Sequence, residues 1–195
     1  MEDIYSDIAR ERIDFWDEDN LSLSLFRYKP GKTGRTDKPT QLILCFKESG
    51  SACLSTAVAQ VYDALGKSAE DWKREFGCRY IVPVPGHLAY TISTSSKLMC
   101  LFIVRMFPWL QYPEDLLYRR QSVTPAHLAY PGQRPTSTEH FQSLACNKAD
   151  LGGAGLILFD DIVTTGDTSQ ACKRRLQQDA KCGELVRLFL GKTIT

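Results

Sequence analysis

The sequence predicts an α/β fold in which a mainly parallel central sheet is flanked by helices. Three observations carry this expectation. Apolar, β-branched segments at Arg79–Val84, Leu156–Asp160 and Glu184–Leu190 alternate with segments of helical length, and strands spaced by helices pair in parallel. Leu156, Ile157, Leu158 and Phe159 are apolar at every position, as in a strand buried on both faces. The chain has 195 residues, 43% of them hydrophobic, which suits a single domain over 1–195 with its own core.

The elements follow in order. Ile4, Ile8 and Ile13, with Phe15 and Trp16 after them, approach helical spacing, so residues 1–20 read as an N-terminal helical extension. Leu21–Tyr28 alternates leucine with serine and predicts a half-buried strand. Lys29–Pro39 mixes glycine, proline and charge, so it reads as a loop. Gln41–Phe46 fits a strand or the first turn of a buried helix, and periodicity does not decide. Ala52–Leu65 predicts a helix ended by Gly66, and Ala69–Phe76 a second piece stopped at Gly77. Arg79–Val84 is a strand that breaks at Pro85-Gly86. Ser93–Met106 reads as an apolar helix, and Pro108–Pro135 as irregular chain. Ser137–Leu144 fits a short strand or a turn, Thr168–Ala180 a helix, and Glu184–Leu190 the last strand.

Composition narrows the class. The net charge of +1 gives no global field for nucleic acid or an anionic membrane. The apolar run near Met99–Met106 is short and holds Arg105, so no membrane span is expected. The acidic N-terminus lacks a signal-peptide core. Seven cysteines are scattered with no C-x-x-C pair. Neither a zinc site nor a disulfide framework is expected, and small buried thiols in a reducing cytoplasm are.

The chemistry concentrates at "LILFDDIVTTGDTSQ", Leu156–Gln170. In open α/β sheets, ligands bind beyond the carboxyl ends of the strands, where Asp160 and Asp161 stand. Adjacent carboxylates repel, and sugar hydroxyls or a hard cation such as Mg²⁺ would stabilise them. Thr164, Thr165, Gly166, Asp167 and Thr168 follow. Gly166 opens backbone conformations that let successive N–H groups converge on an anion. Thr168 or Asp167 would cap a helix whose N-terminus favours phosphate. Carboxylates for a ribose and a cradle for its phosphate thus lie one turn apart. "GKTGRT" at Gly31 and "GKT" at Gly191 lack the earlier glycine of a P-loop. Lys173–Arg175 reads as a solvated helix face.

This stretch resembles the phosphoribosyl-pyrophosphate (PRPP) motif of type I phosphoribosyltransferases: an apolar strand, two acids, two apolar residues, Thr-Thr-Gly, any residue, then Thr. Residues 156–168 match every position. The resemblance implies that Asp160 and Asp161 hold the ribose hydroxyls and Mg²⁺. It implies that Thr164–Thr168 wrap the 5′-phosphate and that Asp167 helps position the attacking group. "YIVPVPGH", Tyr80–His87, is similar to the ComF-like (competence-associated) branch, which implies a pyrophosphate loop at Pro85, Gly86 and His87. An ordinary loop role fits His87 equally. The chain departs from that branch in carrying "GHLAYTISTSSK" where an Arg-Gly-Phe-Asn-Gln run is usual, and in lacking a four-cysteine zinc ribbon.

Leu116–His140 occupies the place of the mobile hood that such enzymes close over PRPP. It contains Arg119, Arg120, His127, Arg134 and His140. Arginine suits pyrophosphate because its fork binds bidentately, so Arg119, Arg120 and Arg134 are candidate substrate contacts, with solvated surface charge as the alternative. The functional expectation is transfer of phosphoribose to or from an acceptor with pyrophosphate exchange, using PRPP or a nucleotide. The alternative is a weakly catalytic PRPP or nucleotide sensor, or an accessory in DNA uptake, recombination or another DNA-handling system with a protein partner there. The sequence leaves the oligomeric state open between monomer and homodimer, and many members of the resembled family are dimers.

Overall fold

The computed structural model describes residues 12–30, 37–48, 51–125, 134–147 and 150–193. A five-stranded sheet runs in the order β1 (Phe15–Asp17), β2 (Ser22–Tyr28), β7 (Leu185–Thr193), β6 (Gly155–Val163), β3 (Cys78–Pro83). Only the β1–β2 pair is antiparallel. This is the mixed α/β architecture that the alternating apolar segments predict. The helices are α1 (Lys38–Lys47), α2 (Ser51–Phe76), α3 (Thr94–Met106), α4 (Ser137–Ser143) and α5 (Asp167–Asp179). A separate antiparallel pair joins β4 (Leu117–Arg119) to β5 (Leu144–Cys146).

β6 is enclosed on all sides. β3 and β7 flank it, and Leu156, Ile157, Leu158 and Phe159 are fully buried. Its side chains alternate between two core layers. Ile157 and Phe159 meet residues of α1, α2 and α3, whereas Leu156 and Leu158 meet Ala171, Cys172 and Leu176 of α5. The helices that follow β3 and β6 therefore pack on opposite faces of the sheet. Beyond β3 the edge is covered, because Ile81 donates to the Gln111 carbonyl and Gln111 to that of Arg79, which occupies the open ladder groups.

Several elements differ from the sequence expectation. Phe15 and Trp16 lie in strand β1, not in a helical extension, because Trp16 stacks on Trp72 of α2; residues 1–11 lie outside the described residues. Of the two readings open for Gln41–Phe46 the helix holds, started by Asp37, whose carboxylate accepts from the Thr40 N–H. α2 runs unbroken through Gly66. Its buried stripe Val61, Ala64, Leu65, Ala69 and Trp72 continues across that position and outweighs the roughly 0.5–1 kcal/mol cost of an interior glycine. Ser137–Ser143 is a helix with a reciprocal Thr136/Glu139 cap. Cys45 and Cys53 form a disulfide, contrary to the expectation of free thiols, because the end of α1 and the start of α2 bring the two together. The other cysteines are free, and Cys78, Cys100, Cys172 and Cys182 are buried. Arg175 is not a solvated charge: it lies over the Phe141 ring and donates to the Phe141 carbonyl. Gly191 is a strand residue, and a Cβ there would come within 2.6 Å of Ile43 on α1; the Gly31 decoy lies outside the described residues. Among the described residues no helix is long and apolar enough to cross a membrane.

Candidate functional site

The carboxyl ends of β3 and β6 are neighbours, since Pro83 pairs with Phe159 and the Val84 N–H donates to the Phe159 carbonyl. Pro85–His87 and Asp160–Thr168 therefore leave the same edge of the sheet. The helices after them diverge to opposite faces, the arrangement at which open α/β sheets form their ligand crevice.

Asp160 and Asp161 are the last acids of a strand that still pairs with β7, through Asp160 opposite Phe189 and Ile162 opposite Gly191. Asp160 Oδ1 accepts from the Asp161 N–H, and Asp161 Oδ1 from the Ile162 N–H. Lys47, the last residue of α1, brings its ammonium 3.3 Å from Asp161 Oδ2. Desolvation first, and then the neighbouring Asp161 charge, hold the Asp160 carboxyl well above the usual carboxylate range, and Lys47 offsets this only in part.

Gly166 is the turn on which the loop depends. It sits in the left-handed region at φ 84° and is the N-cap of α5, with no side-chain cap. The expected capping by Asp167 or Thr168 is not what occurs. Both residues belong to the first turn of the helix, and Asp167 instead accepts from the Thr165 hydroxyl. The Ser169 hydroxyl donates to the Gly166 carbonyl and lies 3.3 Å from Arg187 Nη1. Arg187, a buried residue of β7 whose guanidinium also donates to the Asn20 carbonyl, thus braces the loop from beneath. The sequence reading missed it, because an arginine inside an apolar strand carries no local signal of what it faces.

A cleft of about 70 Å³ opens over this turn, lined by Asp160, the 164–168 loop, Arg134 and His140. His140 is 9% exposed. Its Nε2 lies 3.3 Å from the Thr168 hydroxyl, and its buried Nδ1 has no hydrogen-bond partner. Burial, then the charge of Arg119, lower its pKa, with Asp167 and Glu139 acting in the opposite sense. A larger cavity of about 360 Å³ between β1 and α2, lined by Trp16 and Trp72 among others, includes none of the candidate residues.

The three arginines have different fates. Arg119 is 1% exposed. Its Nε donates to the Gly86 carbonyl at 2.7 Å, and its Nη1 makes a short bond to the Ser143 hydroxyl. It anchors the Pro85–His87 loop and is not a mobile hood contact, because its donors are turned inward. Arg120 is exposed and donates to the Gln142 carbonyl. Arg134 is exposed and lines the cleft. The loop has further ties to the same segment: Val123 N–H to the His87 carbonyl, Ala89 N–H to the Ser122 hydroxyl and Tyr90 N–H to the Arg119 carbonyl. His87 itself is exposed. His127 lies outside the described residues.

Among the described residues no three His, Cys, Asp or Glu side chains converge to cage a metal. Two carboxylates, one desolvated beside the other, instead suit a cation that arrives with a ligand, since Mg²⁺ commonly takes one or two carboxylates and completes its shell with water and phosphate oxygens. No protein-family model matches the chain, and no curated protein matches it in sequence.

Proposed function

We propose that this crevice binds the phosphoribosyl group of PRPP or a nucleotide, and that the chain is a divergent phosphoribosyltransferase of the type I, ComF-like kind. The observation that carries the reading is the arrangement at the end of β6: an acidic pair on the central strand, then a left-handed Gly166 opening a 13-residue helix, beside the Pro85–His87 loop of the adjacent strand. Helix N-termini and convergent backbone N–H groups attract phosphate. The acidic pair suits the two ribose hydroxyls.

In this reading the 164–168 loop holds the 5′-phosphate and Asp160 and Asp161 orient the ribose or hold Mg²⁺. The acceptor, a nitrogen base, attacks C1 as the C1–O bond to pyrophosphate breaks and its electrons leave with pyrophosphate. Bound Mg²⁺ would supply charge neutralisation of the leaving group. The chain's own contribution is positioning: the Pro85–His87 loop, fixed by Arg119, receives the pyrophosphate, and Asp167 stands near the attacking group.

Calorimetric titration of PRPP with and without Mg²⁺ tests this. Binding that needs Mg²⁺ and is lost in Asp160→Asn/Asp161→Asn is the expected result. A folded wild-type protein that binds no PRPP overturns it.

One observation favours binding with little turnover. Arg119 is consumed in structural bonds and Arg120 is tied to a carbonyl, so among the described arginines Arg134 alone lines the cleft. A PRPP sensor needs no more. PRPP binding without pyrophosphate release on addition of nitrogen bases would select this second reading.

A further inference from the structure

His140 is placed where the proposed phosphate would lie, yet it belongs to a different element from the loop that forms the cradle. α4 carries it, and the Thr136/Glu139 cap fixes the start of that helix. At the other end, Ser143 accepts from Arg119 and donates to the His140 carbonyl. The ring is nine-tenths buried, touches Thr168 through Nε2 and leaves Nδ1 unsatisfied. The nitrogen that a ligand in the cleft meets is Nε2, beside the Thr168 hydroxyl in the first turn of α5.

We propose that His140 is a direct contact of the phosphate monoester held at the N-terminus of α5, and that it takes up a proton as that dianion binds. The inference rests on the phosphoribosyl reading of the cleft. The charged groups around the ring decide the direction. Arg119 of β4 opposes a proton on the imidazole, and the exposed Arg134 lines the same cleft. Glu139 of α4 and Asp167 of α5 favour that proton; Asp160, which also lines the cleft, holds its own proton more tightly than an ordinary carboxyl, and Arg175 of α5 is turned toward Phe141 and Asp179. In the free protein, burial and then Arg119 disfavour a proton on the ring. A dianion against Nε2 supplies the missing opposite charge, so the ring accepts a proton from solvent and donates it in a charge-assisted bond.

Two measurements on the full chain test this, with ribose 5-phosphate as the probe and no metal present. The first follows the His140 imidazole by NMR over a pH series with and without the probe. Its titration midpoint should rise on binding. The second compares wild type with His140→Gln by calorimetry at about pH 6 and about pH 8. The affinity ratio of the two proteins at each pH cancels the ionisation of the probe itself. The ratio should increase toward acid by up to about tenfold for each pH unit the midpoint is raised.

If wild type binds the probe but the midpoint does not move and the ratio is the same at both pH values, the role of His140 is refuted while the phosphate cradle stands. If wild type binds the probe at neither pH, the cradle reading fails and this proposal with it. The NMR arm uses wild type alone, so a poorly folded variant cannot obscure the result.

Discussion

The ammonium of Lys47 stands 3.3 Å from the carboxylate of Asp161, so the acidic pair at the end of β6 is tied to the last residue of α1. Asp160, beside it, has desolvation and a like charge to contend with. Its raised pKa fixes the sign of a pH effect. The folded chain holds the Asp160 proton more tightly than the unfolded chain, so stability falls as pH rises from the ordinary carboxylate value, about 4, through the raised one. Asp160→Asn should therefore melt above wild type at about pH 8, with the gain vanishing near pH 4. The same variant should lose PRPP binding. Thermal melts over a pH series decide; equal melting temperatures at about pH 8 would refute the account.

Arg119 makes a second prediction. Its bonds to Gly86 and Ser143 tie the Pro85–His87 loop to the end of α4. Arg119→Met keeps the hydrocarbon stem but strands two acceptors, at a cost of about 1–3 kcal/mol. Urea denaturation should show that loss, and amide exchange at Tyr90 and Val123 should quicken, since both N–H groups bond within the same seam. Unchanged exchange there would mean the loop does not depend on this guanidinium.

How much of this was legible in the sequence depends on how far each signal reaches. The all-apolar Leu156–Phe159 run is local, and it reports the central strand that β3 and β7 flank. The continuity of α2 is also legible, since Val61, Ala64, Leu65, Ala69 and Trp72 keep one helical stripe across Gly66, although a glycine at that place reads locally as a helix stop. The Thr136/Glu139 cap could have identified α4, whose short, polar sequence has no apolar stripe. Three features were beyond reach because tertiary packing creates them: the Cys45–Cys53 bridge, the inward turn of Arg119, and the meeting of Arg187 with Ser169 beneath the loop.

The Cys45–Cys53 disulfide closes a loop with a sequence separation of 8 residues between α1 and α2. Because it limits the unfolded chain over so short a span, its loss should cost about 2–3 kcal/mol. The paired substitution Cys45→Ser/Cys53→Ser should lower the urea midpoint accordingly, and a mild dithiol reductant should do the same to wild type. Lys47 lies two residues from Cys45, so the reduced protein should also bind PRPP more weakly if the bridge fixes the Lys47–Asp161 pair. Identical stability with and without reductant would show that the bridge contributes nothing.

Gly166 separates backbone strain from steric contact. At φ 84° an L-residue with a Cβ is strained, yet the nearest atom a Cβ would meet, Ser169 Oγ, is 3.8 Å away, an ordinary contact. The penalty of Gly166→Ala is therefore conformational, about 1–2 kcal/mol. Asparagine adopts this conformation more readily than alanine, so Gly166→Asn should recover most of the stability. On the proposed reading of the 164–168 loop as a phosphate site, binding should follow the same order, glycine above asparagine above alanine, because the loop keeps its backbone path only while the turn holds a left-handed residue. Denaturation and PRPP titration of the two variants check both halves of the argument. An alanine variant as stable as wild type would show that the turn does not impose the conformation, and equal binding by all three would separate the ligand site from this turn.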